Sequence, residues 1–359
     1  MWPYWLIFLL PSMAALAGGW VRPETRLSRL IYQPTYPWLL AVGVLALFMG
    51  YRHQVGGDWY AYIANFNAQY WKPLGEVLSG SDPGYYLVNW LVGQAGGTIY
   101  AVNLICGLIS ALGLAVFARA QPRPWLAVAV AVPYMVNVVM MGYTRQGAAL
   151  GLGMLALAAL SRARLRQFLF WALFAATFHK SAVVLIPLAA LGRSRNRLVL
   201  LFWAGVVGAV AYWIFVQSYI DQLYANYIES EYQSTGALVR LAMNAVPAAI
   251  LLIWRRRFTL IGDEQRIWLW VAIVALVLVA LYPIVPSSTA LDRLGLFVIP
   301  LQLVVFSHLP DVFGRRGRNN EFWVFAVLAY YALVEFVWLN YATHAPYWLP
   351  YQFYPLVGG

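Results

Sequence analysis

The sequence predicts an all-α, polytopic integral membrane protein with about ten or eleven transmembrane helices and short re-entrant or amphipathic segments between them. Three observations carry this. Of 359 residues, 62% are hydrophobic and only 10% charged, whereas a soluble domain needs about 25% charged residues to keep its surface wet. Apolar runs of about 20 residues, the length that crosses a bilayer, recur from one end of the chain to the other. Eighteen of the 24 Lys and Arg residues lie in short clusters between those runs. The net charge of +11 is therefore a topological signal and not a nucleic-acid surface. The single cysteine, Cys106, excludes an intrachain disulfide and any four-cysteine zinc site.

The first run, 2–20, has no basic segment before it and no clear small-residue cleavage site after it, so it reads as a retained helix. The basic clusters are Arg22, Arg26 and Arg29; Arg119 and Arg123; Arg162, Arg164 and Arg166; Arg193, Arg195 and Arg197; Arg255, Arg256, Arg257 and Arg266; and Arg315, Arg316 and Arg318. Placed in the cytoplasm, they put spans near 4–21, 37–51, 98–118, 124–143, 145–161, 198–217, 237–254, 265–284, 293–309 and 322–341, with both termini outside. Between the basic loops at 162–166 and 193–197 a single straight helix would carry one cluster to the wrong side. The stretch should turn back, and its natural break is Phe178-His179-Lys180-Ser181. Segment 82–97 is too short to cross and is expected as an amphipathic or re-entrant helix on the outer side. With no internal repeat or linker, residues 1–359 form one integral membrane domain, its largest outer loops near 52–97 and 218–236.

Six cations remain outside the basic clusters: Arg52, Lys72, Arg145, Lys180, Arg240 and Arg293. Arg145, Arg240 and Arg293 fall near the outer ends of predicted helices. Any one of them is accounted for by snorkelling or by pairing with Asp58, Asp292 or Glu335. Together they predict an outward-facing cationic pocket for an anion, because guanidinium groups bind phosphate bidentately. Asp58, just after Gly56-Gly57, reads as a general base, as an orienting residue for an arginine, or as a turn aspartate. His179 marks the break and is the expected base, with Asp58 the expected orienting residue. No Asp-x-Asp pair occurs, so the acidic ligands common in metal-dependent sugar transferases are absent, and Glu229-Ser-Glu231 reads better as a solvated loop than as a metal site. Aromatic residues make up 16% of the chain and crowd the outer ends, among them Trp59, Tyr60, Tyr62, Tyr85 and Tyr86. They suit both an interfacial belt and platforms for sugar rings.

The order of these residues is similar to that of the EpsG family of bacterial exopolysaccharide polymerases, which are Wzy-like. The resemblance rests on Arg52-His-Gln-Val-Gly-Gly57-Asp58-Trp59-Tyr60, then Asp82-Pro83-Gly84-Tyr85, then Tyr143-Thr144-Arg145-Gln146, then Phe178-His179-Lys180-Ser181-Ala182, and more loosely on 240–244 and Arg293. The acidic residue of the second element is usually Glu in the family, where this chain has Asp82. What the resemblance implies is a fold like that of GT-C-type polymerases, in the bacterial inner membrane. The implied activity joins polyprenyl-pyrophosphate-linked oligosaccharide repeat units, as donor and acceptor, at the outer face. His179, Asp58 and Arg145 would be catalytic, and Arg52, Arg240, Arg293, Asp82, Tyr85, Gln146, Trp59 and Tyr60 would bind substrate. Neither metal nor cofactor is implied. Membrane lipids, a chain-length regulator and export machinery are the other expected partners. The competing readings are a transporter or flippase for the same lipid-linked oligosaccharide and a membrane O-acyltransferase. The absence of an internal repeat argues against the first.

Overall fold

A computed structural model describes residues 1–18, 35–188, 236–260, 262–285 and 288–357, together with 198, 202, 205 and 209. Most of the expected span 198–217, the outer loop 218–235 and the basic clusters at 22–29 and 193–197 lie outside the described residues. Helix α1 (Trp2–Ala17) and α2 (Tyr36–Gly50) precede three short helices, α3 (Trp59–Tyr70), α4 (Leu74–Leu78) and α5 (Pro83–Gln94). The long elements follow: α6 (Ile99–Arg119), α7 (Pro124–Ala131, continued as a π-helix over Val132–Met140), α8 (Thr144–Leu160) and α9 (Leu165–Phe178), which ends in a 3-10 segment, Lys180–Leu185. After the undescribed stretch come α10 (Ala237–Ile253), α11 (Asp263–Leu281), α12 (Ser288–Leu296), α13 (Pro300–Phe313), α14 (Glu321–Tyr341) and, in the tail, α15 (Tyr354–Val357). Helices α6, α11 and α14 are long and apolar enough to cross a membrane, and α1, α2, α7, α9 and α10 are shorter apolar helices. The architecture is that of a polytopic membrane protein.

Helix α8 runs through the centre, buried along nearly its whole length. Small residues allow this. A Cβ on Gly113 of α6 would lie 2.1 Å from the carbonyl oxygen of Gly151, and one on Gly151 would lie 2.7 Å from the Cα of Ser110. The two backbones touch, as in the small-residue contacts that replace hydrophobic driving force between helices in lipid. Gly50 and Gly107 play the same part between α2 and α6, facing Leu104 and Ala46. In α7 the ladder is interrupted at Pro133, which has no N–H to give, and the chain continues with π-helical spacing.

The two ends of the bundle are tied differently. At one end the hydroxyl of Tyr4 donates to the carbonyl of Trp348 (2.7 Å), and the N–H groups of His53 and Gly56 donate to the carbonyls of Gln352 and Tyr347. The N-terminal helix, the 51–56 loop and the C-terminal tail thus meet there. At the opposite end Arg123 donates to Asp311 and to the carbonyls of Arg318 and Asn319, and Arg316 to the carbonyl of Arg257. Several basic clusters therefore share one end and the cap of short helices sits at the other.

The break at 178–181 is where the charge rule puts it: α9 stops at Phe178 and His179 is extended (φ −155°, ψ 120°). The chain then returns along α8, since Leu185 lies against Gly153 halfway down that helix. Segment 82–97 forms α5, a 12-residue helix too short to cross. One expectation is corrected. The span 293–309 is not one helix; α12 ends at Leu296, residues 297–299 turn, and α13 starts at Pro300. Pro300 cannot continue the preceding ladder, and the turn is tolerated because Phe297, Val298 and Ile299 are buried in protein, away from lipid.

The glycine contacts make a direct test. Gly151→Val should destabilise the protein by about 1–3 kcal/mol through overpacking. Gly43→Ala, where a Cβ meets nothing within 4 Å, should be neutral or stabilise by about 0.4–1 kcal/mol. Thermal unfolding in detergent reads both.

Candidate functional site

The first turn of α8 organises the capped end of the molecule. Its three leading side chains reach three different elements. The Thr144 hydroxyl accepts from Nη2 of Arg52 (2.8 Å) in the 51–58 loop. Arg145 Nη1 donates to Asp82 Oδ2 (2.8 Å) at the start of α5. Gln146 Nε2 donates to the carbonyl of Arg293 (3.1 Å) in α12.

Around Arg145 the site is part buried. The Asp82 side chain is 7% exposed and that of Arg145 is 34%, with the guanidinium about 6 Å from the ring centres of Tyr62 and Tyr85. Burial pushes the Asp82 carboxyl above its usual range, while Arg145 and a hydrogen bond from the Lys180 backbone N–H pull the other way. Gly84 makes that approach possible: a Cβ there would fall 2.4 Å from Thr177 Oγ1. The acidic-Pro-Gly element therefore plugs the N-terminus of α5 into the break after α9.

His179 caps the 3-10 segment, its Nδ1 accepting from the Ser181 N–H (3.3 Å). That bond requires an unprotonated Nδ1, so a neutral imidazole carries its hydrogen on Nε2. The ring lies within electrostatic reach of Arg293, Arg145 and Lys180. Arg293 is exposed, and no partner for its guanidinium occurs among the described residues. Arg240 makes a bidentate pair with Asp292 (2.6 and 2.8 Å). A buried ladder continues inward from there: Asn244 Nδ2 donates to the Gly295 carbonyl (2.9 Å), Gln302 Nε2 to Asn244 Oδ1 (2.7 Å) and the Tyr331 hydroxyl to Gln302 Oε1 (2.8 Å).

Beside Arg240 a groove of about 440 Å³ opens between α7, α10, α14 and the tail. Arg240, Tyr143 and His344 lie at its polar end, and Val138, Met243 and Leu333 line it further in. From Tyr341 to Leu333 it follows α14 for about 12 Å. Tyr143 lines the groove and lies within electrostatic reach of Arg240 and Arg293.

Of the residues singled out from sequence, Arg145, Gln146, Asp82, His179 and Arg293 come together, with Arg240 one step away across Asp292 and Tyr143. The remainder sit differently. Arg52 is 1% exposed, and its donors go to Thr144 and to the carbonyl of Val55 (3.0 Å), so it is not held by Asp58. Asp58 is exposed at the start of α3, within electrostatic reach of Tyr143. The open aromatic platform is corrected for Trp59, Tyr62 and Tyr85, which are buried, Trp59 packing on Arg52 and Tyr62 and Tyr85 lying beside Arg145, whereas Tyr60 is 70% exposed. Glu335, named from sequence as a partner for an arginine, lies buried in α14 and pairs with no described arginine. The sequence reading missed Gln302 and gave Asn244 and Lys180 no role in the site; the four-residue spacing of Arg240 and Asn244, which sets them on one helix face, was an available signal.

The described residues form a polytopic all-helical membrane protein with Arg145, Arg240 and Arg293 near one end and an apolar groove beside Arg240. The chain belongs to the EpsG family, which it matches over residues 35–353. No curated protein and no solved structure matches it.

The Arg52 contact is testable. Thr144→Val preserves shape but removes the acceptor for a buried guanidinium, at an expected cost of about 1–3 kcal/mol. Thr144→Ser should restore it, and a T144V protein that melts like the wild type would show that Arg52 needs no such partner.

Proposed function

We propose that this protein is a polysaccharide polymerase that joins polyprenyl-pyrophosphate-linked oligosaccharide repeat units at the outer face of the bacterial inner membrane. The family supports the polymerase class. The observation that supports the substrate is Arg240 at the polar end of the apolar groove, paired with Asp292 next to Arg293, since a pyrophosphate needs guanidinium groups and a polyprenyl tail needs an apolar slot open to lipid. The capped end faces outward in this reading and the basic-loop end faces the cytoplasm. A GT-C-like ancestry of the fold belongs to the same proposal.

Here the polyprenyl tail lies in the groove and the pyrophosphate rests near Arg240, Arg293 and Arg145. Charge develops on the leaving pyrophosphate as the glycosidic bond forms, and donors already aimed at it lower the barrier. His179, holding its hydrogen on Nε2, joins those donors. The proton of the acceptor hydroxyl then goes to a carboxylate, and Asp58 is exposed where Asp82 is engaged by Arg145. The structure thus favours exchanging the two roles read from sequence. Tyr60 offers an open ring to the sugar, while Arg52, Trp59 and Tyr85 brace the parts that touch it.

Purified protein supplied with lipid-linked repeat units should yield a ladder of products. Movement of the lipid without a ladder would make it a transporter, and acyl transfer would make it an acyltransferase. Arg293→Ala should slow polymerisation on the order of 100-fold. Asp58→Asn should block turnover while leaving donor binding intact, and His179→Ala should weaken donor binding; the opposite pattern returns His179 to the role of base. Activity should survive a chelator, because arginines take the charge that a divalent ion would otherwise neutralise.

A further inference from the structure

Glu335 and Asn137 form a pair that the reaction does not use. Glu335 lies in α14 and is 1% exposed; Asn137 lies in the π-helical half of α7 and is also 1% exposed. Asn137 Nδ2 donates to Glu335 Oε1 at 2.8 Å. The remaining oxygens, Glu335 Oε2 and Asn137 Oδ1, are both buried without a hydrogen-bond partner. No described lysine or arginine pairs with Glu335. Two acceptor oxygens cannot satisfy one another. An ionised carboxylate buried in a membrane helix with a single amide donor would also be far from compensated.

One proton resolves both deficits. Placed on Oε2, it turns that oxygen into a donor aimed at the amide that already holds Oε1, and the carboxyl and carboxamide groups close a ring of two antiparallel hydrogen bonds. We propose that Glu335 is held as the neutral carboxylic acid and closes this ring with Asn137, pinning α14 to the π-helical segment of α7.

The position gives the pin a consequence. Val334, Val337 and Trp338 of α14 and Tyr134 and Val138 of α7 line the groove, so the ring stands directly behind two of its walls. The π-helical segment has a loosened ladder, and its other clamp is at the same residue, where Trp348 Nε1 donates to the carbonyl of Asn137 (2.7 Å). Trp348 in turn receives the Tyr4 hydroxyl on its own carbonyl. Asn137 thus joins α14, the tail and α1 to the π-helical segment of α7. Glu335 is a positioning residue that fixes the spacing of the groove walls, and this holds whatever the groove binds.

The decisive comparison is Glu335→Gln against Glu335→Ala in the full-length protein in lipid nanodiscs at neutral pH. Glutamine carries a donor where the neutral acid does and can close the same ring with Asn137. The infrared difference spectrum of wild type minus E335Q should contain a protonated-carboxyl C=O band that shifts on deuteration. E335Q should keep the wild-type melting temperature, and E335A and Asn137→Ala should lower it by similar, non-additive amounts. Spin labels at V239C and V337C, on facing walls of the groove, should keep their separation in E335Q and move apart in E335A. Absence of the carboxyl band, an E335Q protein that melts as low as E335A, or an unchanged label separation in E335A would overturn the proposal. If E335A does not fold, the spectrum and the stability of E335Q still decide.

Discussion

Thr144, Arg145 and Gln146 occupy one helical turn, and each holds a different part of the capped end: the loop after α2, the start of α5 and the backbone of α12. These parts are far apart in sequence and none can be fixed by its own local interactions. What makes the turn able to hold them is the burial of α8 behind it, which depends on Gly113 and Gly151 letting two backbones meet. A central helix in a fixed place presents fixed donors and acceptors. Arg52, Asp82 and the backbone at Arg293 are positioned from that helix.

Polar groups here follow one rule with different solutions. Arg123 and Asp311 are buried together at the basic-loop end, where carbonyls of the 318–319 turn take further donors from the guanidinium. Asn244, Gln302 and Tyr331 form a ladder in which each amide is both donor and acceptor. In lipid no water competes for these groups, which favours partners inside the protein. The chain places these side chains in connected sets, and irregular backbone such as 297–299 lies inside the bundle.

Much of the plan was legible in the sequence for simple reasons. Apolar run lengths gave the helices, and the positions of arginines required the chain to turn back near His179, where α9 does stop. The placement of Arg145, Arg240 and Arg293 near one end also followed from charges left over once the basic loops were assigned. The choice of partner was not legible. Asp82 and Arg145 are 63 residues apart, and Asp292 and Arg240 are 52 apart; nothing local says that Arg145 takes Asp82 while Asp58 stays in solvent. The inward turn of Trp59 and Tyr85 is equally a tertiary outcome, since an aromatic-rich outer segment reads the same whether its rings face sugar or core. The break at 297–299 was hidden because the residues around it are as apolar as a continuous span.

The pairing of Arg240 with Asp292 bears on a problem that any groove open to a bilayer must meet. In the proposed reading its polar end would meet phospholipid phosphates, which are in vast excess over any rarer anion. A bare guanidinium there would be occupied permanently by the commonest headgroup. Arg240 instead spends two donors on its own carboxylate, so an incoming anion must compete with an internal one already in bidentate register. A monoester or diester phosphate with a single interacting group gains little from that exchange, whereas a ligand that also engages Arg293 next to Asp292 can offset the loss. Under the proposed function, the internal carboxylate would act as a threshold that favours multivalent anions over single headgroups.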